Sequence, residues 1–365
     1  MPSLQKIYFM ILEKRPDMNY ILFAGKGIGD FALVLPIAKA IKRSDPKSRI
    51  LLLSRSSRKE KKQNLSLLEF QNYLDDVDYY NVREPLHDIK LVLRLRKEKY
   101  AFGFVCEHQT KYTSKWPAKL IKICGCKSVG RKPVNSSLHY DIEVDIQEPM
   151  HITESFFRLL AAVGIEEQED CSELIRIDKI KNSFVLSKKY EKYIAICLGT
   201  GTVPVVIEGK KIDIDAKSWP MESWIQLIKC FYQANIGVIG IGGKKEMQML
   251  QGFYGESLTA NFTNLAGKCT LQESLGVLHL CEAVIGADTG MMHWAAALGK
   301  PTISLFGCTS PMDYQPYGNK NESICLQLPC SPCFGEERVA SCIERKCMKQ
   351  IKIEMVFNAA MKYLG

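Results

Sequence analysis

The stretch from Cys281 to Gly318, CEAVIGADTGMMHWAAALGKPTISLFGCTSPMDYQPYG, constrains the fold most, because a strand, a polar turn, a helix and a second strand follow without a break. Ala283-Val284-Ile285-Gly286 reads as a short buried strand, and Gly299-Lys300-Pro301 stops a helix before a second strand at Thr302 to Phe306. Such a strand–helix–strand unit predicts an α/β chain. Asp288-Thr289-Gly290 places a carboxylate, a hydroxyl and free backbone N–H groups at the helix N-terminus, where the dipole favours an anion such as phosphate. Taken alone, Asp288 or Thr289 reads equally well as an N-cap. The rest of the run goes further. His293 falls one turn into the helix on the Thr289 face, and the second strand ends in Gly307-Cys308-Thr309-Ser310-Pro311, another turn of small residues. Two such turns side by side form the ligand crevice of an open parallel sheet.

The pattern D-T-G-x-x-H-x-A-A-A-L-G-K-P, followed by a strand, F-G and T-x-P, resembles glycosyltransferase family 9, the ADP-heptose:lipopolysaccharide heptosyltransferases. The resemblance recurs in order from about Tyr20 to about Leu364. It implies a GT-B fold, with two Rossmann-like domains whose parallel sheets face a central cleft. The expected division is 1–180 for an acceptor-binding domain and 181–350 for a nucleotide-sugar domain. A last helix, 351–365, is expected to pack back toward the first domain.

At 365 residues, 46% of them hydrophobic, the chain can supply two ordinary cores. No apolar run is long enough to cross a bilayer, and the first residues lack the apolar core and cleavage site of a signal peptide, so a cytoplasmic protein is expected. The 14 cysteines are scattered through apolar segments such as Ile194-Ala195-Ile196-Cys197-Leu198, as reduced core thiols are. Charge is uneven: residues 1–135 carry 27 Lys and Arg against 13 Asp and Glu, the remainder 22 against 27. An excess of that sign draws the first half toward polyanions, although basic residues also serve simply to solvate a surface. The interleaved aromatics of a nucleic-acid binder are missing.

In the first half, residues 1–18 read as an extension. Asn19 to Ala24 is a buried strand leading into Gly25-Lys26-Gly27-Ile28-Gly29-Asp30 and a helix from Phe31 to Ile41. The glycine-rich loop fits neither G-x-G-x-x-G nor the P-loop spacing. Asp30 at the start of the helix could simply stabilise its dipole. Gly29-Asp30 also resembles the family's Gly-Asp, whose carboxylate is regarded as the catalytic base. Arg49 to Leu53 is a second strand, followed by a basic run that includes Arg55, Arg58 and Lys62, either a solvated loop or a contact for an anionic acceptor. Tyr100 to Val105 ends in Glu107-His108-Gln109, and Lys111, Lys115, Lys119 and Lys122 fall on one helix face. His108 and Lys111 join the candidate acceptor contacts. His151 to Val163 is a helix that ends at Gly164.

In the second half, Tyr193 to Leu198 is a strand ending in Gly199-Thr200-Gly201-Thr202, whose hydroxyls could line a phosphate pocket or merely a turn. A long, partly apolar loop from Val203 to Asp215 precedes Lys217-Ser218-Trp219-Pro220-Met221-Glu222-Ser223-Trp224. This resembles the family's K-x-W-P-x-E-x-W element, which implies that Lys217 contacts the donor's diphosphate or sugar. A fixed cation there would offset charge on the departing nucleotide. Glu246, after Gly242-Gly243, matches the family's acidic residue, and a carboxylate so placed could bind ribose hydroxyls or only cap a helix. Cys330, Cys333, Cys342 and Cys347 form a C-x2-C-x8-C-x4-C arrangement, read as reduced structural cysteines with a zinc or iron knuckle as the minority alternative.

The resemblance implies an inverting transferase moving heptose from ADP-heptose to the inner core of lipopolysaccharide. Asp30 is the expected base and Lys217 the expected cation, with the donor held by Thr200, Thr202, Glu246, Asp288, Thr289, Gly290 and His293. No cofactor is required on this scheme, and the chain shows no D-x-D placed to bind a metal. The expected partners are ADP-heptose and an anionic glycolipid at the cytoplasmic face of the bacterial inner membrane, with peripheral membrane contact and no nucleic acid. A family member using another nucleotide sugar or a protein acceptor is the alternative enzyme, and a catalytically silent nucleotide-sugar-binding partner the alternative of another class.

Overall fold

The computed structural model describes residues 18–25, 27–81, 83–107, 116–133, 139–165, 171, 173–180, 186–200, 203–207, 210–251, 260–336 and 338–365. The expected extension up to residue 17, His108, Lys111, Lys115 and Thr202 lie outside them. The chain divides into two compact units, Met1–Arg176 and Ile177–Gly365, against the expected boundary at 180/181.

The first unit runs β1 (Asn19–Ala24), α1 (Ile28–Ser44), β2 (Ile50–Arg55), α2 (Arg58–Leu65), β3 (Asp76–Tyr80), α3 (Pro85–Glu98), β4 (Tyr100–Cys106), α4 (Trp116–Ile123), β5 (Lys127–Arg131), β6 (Ile142–Val144) and α5 (Ile152–Ala161). Its strands form one parallel sheet in the order β3-β2-β1-β4-β5-β6. The second unit runs β7 (Tyr193–Cys197), β8 (Val203–Ile207), β9 (Lys210–Ile214), α6 (Met221–Gln233), β10 (Gly237–Ile241), α7 (Lys244–Gln251), β11 (Phe262–Asn264), α8 (Leu271–Leu280) and β12 (Ala283–Ala287). It continues with α9 (Gly290–Ala297), β13 (Thr302–Phe306), α10 (Pro311–Tyr314), β14 (Asn321–Cys325), α11 (Arg338–Ser341), α12 (Lys346–Lys349) and α13 (Ile353–Met361). Its parallel sheet has the order β11-β10-β7-β12-β13-β14. Counted from its own first strand, each sheet has the order 3-2-1-4-5-6. The strand order therefore reverses between β1 and β4 in one unit and between β7 and β12 in the other, where doubly wound sheets open their ligand crevices.

Local chemistry explains the elements that matter. β7, β12 and β13 are buried throughout, as parallel strands covered on both faces must be. α9 ends where Gly299 adopts φ +74°, a left-handed conformation that glycine reaches without a Cβ penalty. There Gly299 N–H donates to Ala296 O and Lys300 N–H to Ala295 O, which satisfies the last carbonyls and lets Pro301 start the next strand.

Two elements differ from expectation. The basic run after β2 is the helix α2, in which Lys61 donates to Asp78 at 2.7 Å. The long loop from Val203 forms the antiparallel hairpin β8–β9, which the β-branched run Val205-Val206-Ile207 favours over open loop. The last helix sends its buried face, Val356, Ala359 and Ala360, into the second unit's own core, beside α6, β13 and β14.

Candidate functional site

In the second unit the polar residues gather past the C-terminal ends of β10, β7 and β12. Trp219 fixes the approach of Lys217: its Nε1–H donates to Ile351 O at 3.3 Å and its ring meets Trp224 edge-on at 4.9 Å. Lys217 Nζ then donates to Asp288 Oδ2 at 2.6 Å and sits 5.6 Å from the centre of the Phe334 ring. Both partners are largely removed from water, with 17% and 8% of the side chains exposed. The Asp288 carboxylate therefore holds the lysine, and what this place offers an anion is the ammonium and the N–H groups that begin α9, with Thr289 as N-cap. Gly290 opens that helix, and His293 is buried one turn in.

Thr200 is already engaged: its Oγ1 lies 2.9 Å from Ser218 Oγ and donates to Asp215 Oδ1 at 3.2 Å. Glu246 accepts from Gly243 N–H at 2.7 Å, which reads as a cap. Its carboxylate also lies against Gly199, 3.0 Å from where a Cβ on that glycine would sit, so it occupies the end of β7 as well. Asp215, Lys217 and Ser218 follow the β8–β9 hairpin, which brings them beside Thr200.

The four cysteines near the C-terminus lie within electrostatic reach of one another, Cys347 and Cys342 acting on Cys333, and Cys342 and Cys330 on Cys347. Cys333 N–H donates to Cys308 O at 2.9 Å, Cys330 and Cys342 are exposed, and Cys347 is buried. Among the described residues no three His, Cys, Asp or Glu side chains are grouped to hold a metal ion. Burial pushes the Cys333 thiol up to about 11, with Cys347 the next cause.

In the first unit Asp30 sits in the first turn of α1 and its Oδ2 accepts from Gly27 N–H at 2.9 Å. The sheet register pairs Ser54, Ala24 and Cys106, so Arg55, the last residue of β2, falls in one row with Gly25 and Glu107, which come just past β1 and β4. The Asp30 carboxylate lies over Gly25 so closely that an added Cβ would overlap it. Gly25→Ala should therefore displace the carboxylate without altering its chemistry. We expect turnover to fall on the order of 100-fold with the fold intact; an unaffected variant would show that the position of Asp30 is immaterial. Arg58 reaches Glu84 at 4.0 Å and is 85% exposed, and Lys62 is exposed on α2.

Glu107 is the residue whose role sequence reasoning missed, though it was noted at the end of its strand. Burial pushes its carboxyl up to about 7, the Asp30 carboxylate adds to the rise, and the Arg55 guanidinium opposes it. A carboxyl raised on folding keeps its proton while the unfolded chain loses it. Its contribution is neutral below about 4.5 and increasingly destabilising as pH rises to about 7. Glu107→Gln should thus stabilise the protein at pH 8 by on the order of 2 kcal/mol and leave it unchanged near pH 4. Urea unfolding at both pH values checks this, and an equal effect at the two would refute it.

A family model described as "Glycosyltransferase family 9 (heptosyltransferase)" matches residues 89–344. The chain is 32% identical over 142 residues to lipooligosaccharide heptosyltransferase 2 of Haemophilus influenzae, covering 38% of this chain and 40% of that protein. It is 31% identical over 115 residues to lipopolysaccharide heptosyltransferase 2 of Salmonella typhimurium, covering 30% and 33%. The matches thus span less than half the length of these curated relatives. Two solved structures share the fold across both units. One is ADP-heptose LPS heptosyltransferase II of E. coli, with a TM-score of 0.68 at 20% identity, covering 95% of this chain and 98% of that one. The other is a family 9 glycosyl transferase from Veillonella parvula, at 0.73 and 17%, covering 96% and 98%.

Proposed function

The chain belongs to glycosyltransferase family 9, and from that premise we propose that it is an inverting transferase moving heptose from ADP-heptose to the inner core of lipopolysaccharide. The observation that carries this reading is the buried Lys217–Asp288 pair at the β7/β12 crevice, beside the N-terminus of α9. A nucleotide diphosphate needs fixed positive charge where its leaving oxygen becomes anionic, and an ammonium held out of bulk water supplies it without reorganisation. Relatives named as heptosyltransferases support the choice of donor, as does a neighbour in fold, E. coli heptosyltransferase WaaC, solved with ADP-2-deoxy-2-fluoro heptose.

On this reading Asp30 takes the proton of the acceptor hydroxyl as its oxygen bonds to the anomeric carbon. The bond from that carbon to the diphosphate oxygen breaks on the opposite face, and ADP leaves with its charge offset by Lys217. With its carboxyl pushed up to about 7, Glu107 is only partly ionised near neutral pH, so the base has less than a second full negative charge beside it. Among the described residues of the acceptor side, Arg55, Arg58 and Lys62 are cations suited to a phosphorylated glycolipid. Transfer by these groups requires no metal.

The test is ADP release from ADP-heptose, with and without deep-truncated lipopolysaccharide, against UDP- and GDP-sugars as competing donors. Acceptor-dependent release from ADP-heptose alone is the expected result. Turnover of a different nucleotide sugar would overturn the donor, and binding without turnover of any sugar would leave a silent binding protein.

A further inference from the structure

The outward face of α3 combines two features that soluble surfaces keep apart. Leu86, Ile89 and Leu93 are 76%, 57% and 63% exposed, and their spacing of three and four residues lines them up in one stripe. Lys90, Arg96 and Lys97 are exposed on either side of that stripe, while Leu91 and Leu95 face the core. No carboxylate of α3 is exposed: Asp88 accepts from Asn81 N–H, and Glu98 takes the Tyr100 hydroxyl. The neighbouring helix repeats the pattern. In α4, Trp116 and Ile123 are 52% and 50% exposed, with the Lys119 ammonium 5.9 Å from the Trp116 ring. The inner faces of both helices share one core cluster with β1 and β2, so they cover the same side of the sheet. Arg96 of α3 acts on the Cys124 thiol just past α4, which places these helix ends side by side.

We propose that the outward faces of α3 and α4 dock onto an anionic phospholipid bilayer, with Leu86, Leu93 and Trp116 entering the headgroup boundary and the flanking Lys and Arg meeting lipid phosphates. A strongly polar, basic flank beside an exposed apolar stripe is the signature of a helix lying in the interface plane, and an amphipathic indole suits that depth. Among the described residues no helix is long and apolar enough to cross a membrane, so contact through such a face needs no spanning segment. Charge complementarity selects the partner. A second copy of this chain would bring the same Lys and Arg against one another, whereas an anionic surface attracts them. The inference deepens the reading of the acceptor as a membrane glycolipid and rests on it for its purpose, but the surface is testable without transfer.

The experiment is flotation of the full chain with phosphatidylcholine vesicles, with and without phosphatidylglycerol, at low and high salt. The variants are Leu86→Glu/Leu93→Glu and Lys90→Ala/Arg96→Ala/Lys97→Ala, whose exposed positions spare the core. The wild type should float only with the anionic vesicles, less at high salt, and each variant should bind at least about tenfold more weakly. ADP-heptose affinity should be unchanged, so a failed donor assignment and a failed docking surface read differently. Absence of wild-type flotation would overturn the proposal, as would variants that float like wild type. Sedimentation equilibrium showing a dimer that the leucine variant dissolves would instead assign the face to a second copy.

Discussion

Asp30→Asn should cut acceptor-dependent ADP release from ADP-heptose by on the order of 10² to 10⁴, the range for loss of a general base. The substitution is chosen because it separates chemistry from structure. The amide oxygen of Asn still accepts from Gly27 N–H, so the start of α1 is kept. Losing the charge from the first turn costs at most about 1 kcal/mol. Affinity for ADP-heptose should not change, since the proposed donor groups, Lys217 and the start of α9, belong to the other unit. A second readout tests the geometry directly. Removing the Asp30 charge takes away one of the two causes that raise Glu107, so the Glu107 carboxyl should titrate lower in the variant, burial alone holding it up. Wild-type turnover in Asp30→Asn would remove Asp30 from the chemistry, and an unmoved Glu107 titration would separate the two carboxylates.

What was legible in the sequence was what short-range chemistry decides. The run Ala283 to Phe306 was read as strand, turn, helix and strand because its apolar strands, the Gly299 stop and Pro301 act within a few residues of themselves. Asp30 could be singled out because the glycines before it and the helix after it are contiguous. Contacts set by sheet order could not be read in this way. Glu107 neighbours Asp30 only because β4 inserts beside β1, and nothing local in Phe104-Val105-Cys106-Glu107 announces it. Asp288 was read as part of an anion site, but nothing local announces its ion pair with Lys217, 71 residues away. The core that the last helix joins could not be read for a related reason. The helix's apolar face fits either sheet by pattern, and only the cluster around Phe231 and Phe357, whose rings lie 5.2 Å apart, shows which core it completes.

Lys217→Met should have two effects that a second substitution pulls apart. The first is on stability: Asp288 is 8% exposed, and removing its cation leaves a buried charge without its partner. Breaking a buried pair from one side costs about 3 to 5 kcal/mol, and the 17% exposure of Lys217 puts this pair toward the lower end. The second is on donor turnover, where loss of one fixed group that stabilises developing charge costs on the order of 10² to 10³. Adding Asp288→Asn removes the stranded carboxylate, so the double variant Lys217→Met/Asp288→Asn should recover most of the lost stability. If the ammonium offsets charge on the departing ADP, turnover stays low in the double variant, because neither Met nor Asn carries a cation. If Lys217 serves only to neutralise Asp288, turnover returns with stability. Urea unfolding and ADP release, measured on the two single variants and the double, decide between a lysine that acts on the substrate and one that keeps a carboxylate buried.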